Sequence, residues 1–381
     1  MSLVRISTAH RYAAVTPPAN PDPPPDTPPP DIDPETDYWA TSRSVYDVPF
    51  ESSLVAPDSI WTRPIGTGAT RVNAGLDYAN ASSAGGWPGP NGRVTTDDEH
   101  LFLNPSDPAR TLSVTEAGPG NGQQVRVPST GAHDGKLNGC AAAVRVDNAF
   151  TVWQGQPLVL NAGGNPAWKY TIPTGHPSPI DLRAGDETTH WGSHGGSRLS
   201  TVGGSIRLGA LNSAAEMIYH PLKINVYGLK YMSRVNNGYR WPALTADGNY
   251  NNSTSNGYYD GSVPECRMGS LLALPADYDF AANGITEVRA LKLGKTLKFY
   301  GAYIVDNTAW DVYGLSLDIR AKDVAGQWTR SASSTPDVNF HNQLHTMITQ
   351  LQVIDNNAPG QTCAGGGDPL AAGLFAPPVS Q

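Results

Sequence analysis

The chain is predicted to be mainly β, a β-sandwich or jelly-roll-like domain with two peripheral helices, and three observations predict it. Short β-prone runs recur between Gly, Asn and Pro turns. Charged residues make up only 16% of the 381 residues, against 40 glycines and 33 prolines, a composition suited to long ordered loops on a sheet scaffold. Helical periodicity is confined to two segments.

The elements follow in order. Residues 16–35 read TPPANPDPPPDTPPPDIDPE, an acidic proline-rich stretch that favours polyproline II, so 1–37 is assigned as an arm. Residues 38–381 form a single large β-rich domain with a Gly/Pro-rich C-terminal tail. Its strands are placed at 124–127, 140–146, 150–153, 205–208, 222–227 and 303–305. Leu222, Ile224 and Val226 alternate with Lys223, Asn225 and Tyr227, which predicts one buried and one solvated face. Residues 286–300 place Val288, Leu291 and Leu297 on one helical face. Thr335, Pro336 and Asp337 suit a helix start, and Phe340, Leu344, Met347, Ile348 and Leu351 continue it at helical spacing over 336–351.

Several function classes are disfavoured. A net charge of -8 with no arginine-rich run argues against a nucleic-acid partner. No run of 18 apolar residues occurs, so membrane insertion is not expected. Cys140, Cys266 and Cys363 are too widely spaced for a zinc knuckle or CxxC pair, leaving either one disulfide with a free thiol or three unpaired cysteines. The first 15 residues lack the apolar core of a secretory signal; either the start was trimmed or the protein leaves the cell by another route, such as release of a virus particle.

The densest polar sequence is 186–211, DETTHWGSHGGSRLSTVGGSIRLGAL, which gathers Asp186, Glu187, His190, Trp191, His194, Arg198 and Arg207 among glycines. His190 and His194 form an HxxxH pair without the central glutamate of a zinc-protease helix, and His341 and His345 have no acid between them, so no metal is expected. No GxGxxG or GxxxxGK[ST] pattern is present, and no cofactor is expected. Asp306, at a strand end beside Trp310, is the leading acid, since glycosidases set a carboxyl against a sugar supported by an aromatic ring. The plainer reading of Asp306 is an Asx turn. Its partner acid is sought among Asp134, Asp186 and Glu187, and a lyase would instead use His194 or a tyrosine as base with Arg198 or Arg207 facing a uronate. Tyr239, Trp241, Tyr258 and Tyr259, in a segment rich in Asn and Gly, either line a glycan groove or anchor loops.

The blocks HGGSRLSTVGGSIRLGAL, IYHPLKINVYG, YRWPA, CRMGSLLALPADYD, LKFYGAYIVDNTAWDVY and VIDNNAPGQTCAGGGDPL, spanning 56–378, resemble a little-characterised family of secreted bacterial β-rich proteins. The resemblance implies extracellular placement and assigns no catalyst. The arm also looks like an attachment segment of a phage tail protein. The expectation is an extracellular or virion-surface protein that binds bacterial surface polysaccharide and hydrolyses it, with residues 16–35 meeting an assembly partner. The alternative is a non-catalytic glycan-binding adhesin, or a structural component of a phage tail or surface layer.

Overall fold

The computed structural model describes residues 59–77, 94–117, 119–128, 139–148, 151–160, 164–171, 179–182, 191–211, 215–321, 328, 335–372 and 374. The arm at 16–35 and the candidates Asp134, Asp186, Glu187 and His190 lie outside them. All described residues belong to the compact unit Pro34–Gln381.

The protein is mainly β, with strand outweighing helix by about two to one. The first strands are β1 (Arg71–Asn73), β2 (Val94–Phe102), β3 (Ala109–Thr111), β4 (Ser113–Ala117) and β5 (Gln124–Arg126). They are followed by β6 (Ala141–Val144), β7 (Thr151–Leu160), β8 (Pro166–Thr171), β9 (Ile180–Asp181) and β10 (Trp191–His194). The second part contains β11 (Leu222–Val226), α1 (Gly228–Tyr231), β12 (Leu271–Ala273), α2 (Val288–Phe299) and β13 (Ala302–Asn307). It ends with β14 (Tyr313–Asp318), α3 (Thr335–Ile348) and β15 (Gln352–Ile354).

Twelve strands join in one mixed sheet, ordered β1-β15-β12-β13-β11-β14-β2-β6-β7-β8-β4 with β9 beside β7, while β3 and β5 form a separate pair. The strand pairing therefore gives one continuous sheet in place of the two separate sheets of a sandwich. The join is β2. Its first six residues, Val94 to Glu99, run parallel to β14, and His100 to Phe102 run parallel to β6.

Both parts of the sheet contribute to one core. Leu101, Ala142, Val144 and Val152 on one side of the join cluster with Leu271, Tyr303, Val305 and Ile354 on the other, around Trp61, Leu199 and Val202. On the opposite face of the longer part, Leu222, Ile224 and Val226 pack with Ala290, Leu293 and Leu297 of α2 and Phe340, Leu344 and Met347 of α3. Burying each such leucine contributes about 1.5–3 kcal/mol. The two expected helices are thus present, and α2 starts where the Glu287 carboxylate accepts the Ala290 amide at 2.8 Å. His341 and His345 lie buried against Trp328 and Tyr313 respectively, as helix-to-sheet packing requires.

One sequence expectation for β11 fails. Lys223 and Asn225 alternate with the apolar residues but do not face solvent; both are buried. Alternation of polarity normally marks a half-solvated strand, and here it marks a strand whose second face carries an internal polar cluster. The three cysteines are all buried free thiols.

Candidate functional site

The site lies on the face of the sheet that bears the shared core, where β13, β11, β14 and β2 run side by side. Period-two alternation puts Asp97 and Glu99 of β2 on one face, and likewise Lys223 and Asn225 of β11. Asp306 reaches that face by a bulge. Ile224 pairs with Ile304 but Asn225 pairs with Asp306, so Val305 is the extra residue. Without it Asp306 would share the face of Ile304, which packs toward the helices. Between Asn225 and Asp97 runs β14, which there contributes Gly314; a Cβ on it would stand 3.4 Å from Asn225 Cβ. The missing side chain leaves room for Asn225 Nδ2 to donate to Asp97 Oδ2 at 2.9 Å.

At the floor is a chain of buried charges. Lys223 Nζ lies 2.5 Å from Glu99 Oε1 and donates to the carbonyls of Ser200 and Thr201, each at 2.9 Å. The second Glu99 oxygen accepts from Ser205 Oγ. His194 sits between two carboxylates, with Nδ1 2.8 Å from Glu99 Oε1 and Nε2 3.3 Å from Asp97 Oδ2. Lys223, Glu99 and His194 side chains are all 0% exposed. Burial opposes the Glu99 charge, yet Lys223 and His194 outweigh it and hold the carboxyl below the ordinary glutamate value. Burial and Lys223 both work against a charged His194, but contact with Cys140 and the bond to Glu99 hold the imidazole well above its usual value. Asp97, two residues before Glu99 on β2, is raised by burial against the pull of His194.

Above this floor the loop after β10 packs against two more carboxylates, Asp306 of β13 and Asp247. Gly195, at φ +44°, and Gly196 form the bend, and Ser197 fastens it to β13 through its amide and the Val305 carbonyl. A Cβ on Gly195 would stand 2.5 Å from Asp306 Oδ2, and one on Gly196 would stand 2.5 Å from Asp247 Oδ1. The two acids therefore flank one dipeptide, and with successive Cα atoms about 3.8 Å apart they are at most about 12 Å from each other. Asp306 Oδ1 accepts the Gly196 amide at 3.2 Å and the Asn307 amide at 2.9 Å, which leaves Oδ2 for a proton. Burial first, and then the charge of Asp247, push the Asp306 carboxyl up to about 7. Asp247 is raised as well, by burial, while the Tyr259 hydroxyl and Arg198 pull it down. Both acids are half-buried, so they remain within reach of a solute. A carboxyl that exchanges a proton near neutrality beside a second carboxylate can supply general acid and base chemistry.

No protein-family model matches the chain, and no curated protein or solved structure matches it either.

Of the residues singled out in the sequence, the structure brings Asp306, His194 and Arg198 together. It adds Asp97, Glu99, Lys223, Asn225 and Asp247, none of which the sequence reading proposed. Asp134, Asp186 and Glu187 fall outside the described residues, so the partner acid here is Asp247. Tyr259 is not a sugar platform: it is fully buried and donates its hydroxyl to Asp247 Oδ2 at 2.6 Å. Trp241 lies against the shared core with the Arg63 guanidinium 5.5 Å from its ring centre, and Tyr239 packs on the helix-facing core. Tyr258 is half-buried under the Arg234 guanidinium, 5.1 Å from its ring centre. Trp191 is half-buried in β10, where its carbonyl accepts from Gln154. Arg207 is buried, and its charge adds to the burial that pushes His220 down to about 4. Trp310, 39% exposed and four residues beyond Asp306, is the one candidate aromatic of this set that presents a large open face.

Proposed function

We propose that this protein hydrolyses a bacterial surface polysaccharide, with Asp306 as general acid and Asp247 as the second carboxylate. The observation that carries the reading is the Asp306 carboxyl poised at about 7 beside Asp247 in a half-open position. Two acids whose surroundings push their protonation apart are the arrangement glycosidic cleavage needs, at separations of about 5–10 Å.

In the reaction Asp306 Oδ2 gives its proton to the glycosidic oxygen as the bond to the anomeric carbon breaks. Asp247 takes a proton from the attacking water on the other side, or attacks directly if the two oxygens approach within about 5.5 Å. Beneath the pair, Lys223 and His194 offset the charges of Glu99 and Asp97, and His194 also draws on Asp306 against the repulsion of Asp97. Trp310 would support a sugar ring leading into the site. The setting that suits this reading is extracellular or on a virion surface, with the proline-rich stretch at 16–35 as an attachment segment for a larger assembly.

The test is release of reducing ends from bacterial capsular and cell-wall polysaccharides by the full chain and by Asp306→Asn. An amide cannot give the proton, so the variant should lose at least about a hundredfold of the rate, the usual scale of general acid catalysis, with a thermal midpoint no lower than that of wild type. Full activity in D306N would make Asp306 a turn residue. Retention of a polysaccharide in affinity electrophoresis with no cleavage by wild type would favour a glycan-binding adhesin built on the same surface.

A further inference from the structure

We propose that Tyr259 is a positioning residue that decides which of two neighbouring carboxyls carries their shared proton, keeping Asp247 ionised and leaving the proton on Asp306. The inference rests on taking Asp247 and Asp306 as the working pair, but the proton assignment can be read without any catalysis.

The geometry around Asp247 is closed. The Tyr259 hydroxyl donates to Asp247 Oδ2 at 2.6 Å and accepts the Asp247 amide at 3.3 Å, so one phenol binds that residue at both its backbone and its side chain. Tyr259 is itself fixed. Its amide donates to the Tyr250 carbonyl at 2.9 Å, and its ring lies so close to Gly228 that a Cβ there would stand 2.7 Å from Cδ1. A short hydrogen bond from a hydroxyl to an ionised carboxylate stabilises the charged form. Because burial and Asp247 push the Tyr259 phenol upward, it stays a donor across the working pH range.

Asp306 has no equivalent. Among the described residues its hydrogen bonds are the two backbone amides, both to Oδ1. The charged groups facing the pair come from every packed element. Asp97 on β2 and His194 at the end of β10 act on Asp306, and Arg198 on the loop after β10 acts on Asp247. Asp247 thus has a hydroxyl donor and a guanidinium on its side, whereas Asp306 meets two other carboxylates and one imidazole. The proton goes to Asp306.

Removing the hydroxyl should therefore move both acids. In Tyr259→Phe, Asp247 loses a donor to its charged form and its titration rises by about one unit. A partly neutral Asp247 repels Asp306 less, and the Asp306 titration falls. A role confined to packing would leave both in place, because the ring is retained.

The measurement is carboxyl carbon NMR of the full chain labelled at aspartate, titrated from pH 3 to 9, with Asp247→Asn and Asp306→Asn giving the assignments. The expected result is an upward shift of Asp247 and a downward shift of Asp306 in Y259F. A folded Y259F with both titrations unmoved overturns the proposal. Should Y259F fail to fold, Asp247→Asn serves alone: the Asp306 midpoint must fall when its neighbour is neutral, and an unmoved midpoint means that the two acids share no proton. If the glycans are cleaved, the pH–rate profile of Y259F narrows from both limbs. If the titrations shift as expected while wild type cleaves no glycan, the proton assignment stands and the hydrolase reading falls.

Discussion

Two ionised regions share one face of the sheet only a few residues apart, and they are built on opposite terms. In the floor, Lys223, Glu99 and His194 are sealed from solvent, and Lys223 and Glu99 have every charge met by an opposite charge or a hydrogen bond. In the rim, Asp247 and Asp306 are half-buried and repel each other, and Asp306 is met only by two backbone amides on one of its oxygens. The difference separates two uses of buried charge. A satisfied cluster holds its protons fixed and sets geometry, while an under-satisfied pair is left able to exchange one.

The largest expected effect tests the floor. Glu99→Ala strands the Lys223 ammonium without a counter-charge and should cost about 3–5 kcal/mol in chemical denaturation. The joint replacement of Glu99 by Leu and Lys223 by Met should recover most of that loss. A small cost for the single change would mean that the two regions do not differ in kind.

At the boundary between them, Gly195→Ala forces a side chain into a positive-φ bend and against Asp306 Oδ2. A cost of about 1–3 kcal/mol is expected, together with loss of glycan cleavage. Retained cleavage in a folded G195A would show that the bend does not hold the acid in place.

The smallest effect has the opposite sign. The folded carboxyl of Asp306 titrates at about 7, above the 3.8 of an ordinary aspartate. Between those values the native state keeps a proton that the unfolded chain has released, so stability falls as pH rises from about 4 to 7 and the penalty is complete above that. Asp306→Asn removes the penalty. It should stabilise the protein by about 1–2 kcal/mol at pH 8, a figure discounted for the half-open position, and leave stability at pH 4 unchanged. Equal stabilisation at both pH values would place the proton elsewhere.

Part of this was legible in the residues. Short runs between glycine and proline turns announced the β class, and the spacing of Phe340, Leu344 and Met347 announced α3. Asp306 stands out because it sits at a strand end beside Trp310, and His194 because it lies in the densest polar, glycine-rich stretch. Asp97 and Glu99 do not, since a run such as VTTDDEHLF reads as a solvated edge until its neighbours are known. The alternation around Lys223 predicts a solvated face and misleads, because period two reports that two faces differ, not that one of them is wet. Asp247 lay in a stretch whose many aromatics drew the eye to sugar stacking, and its partner Tyr259 gave no sign that its ring would be buried. The bulge at Val305 is set by strand pairing across 80 residues and leaves no local trace.

Strand β2 carries a further consequence. Among the described residues it is the strand that both parts of the sheet pair with, and Asp97 and Glu99 sit immediately before the point where it passes from β14 to β6. A change in the set of one part against the other would be transmitted along this strand as along a lever, with the acids nearest the fulcrum. The charged floor thus gauges the alignment of the two parts, and a chain whose parts had closed out of step would be correctly made in each half and mismatched at the seam.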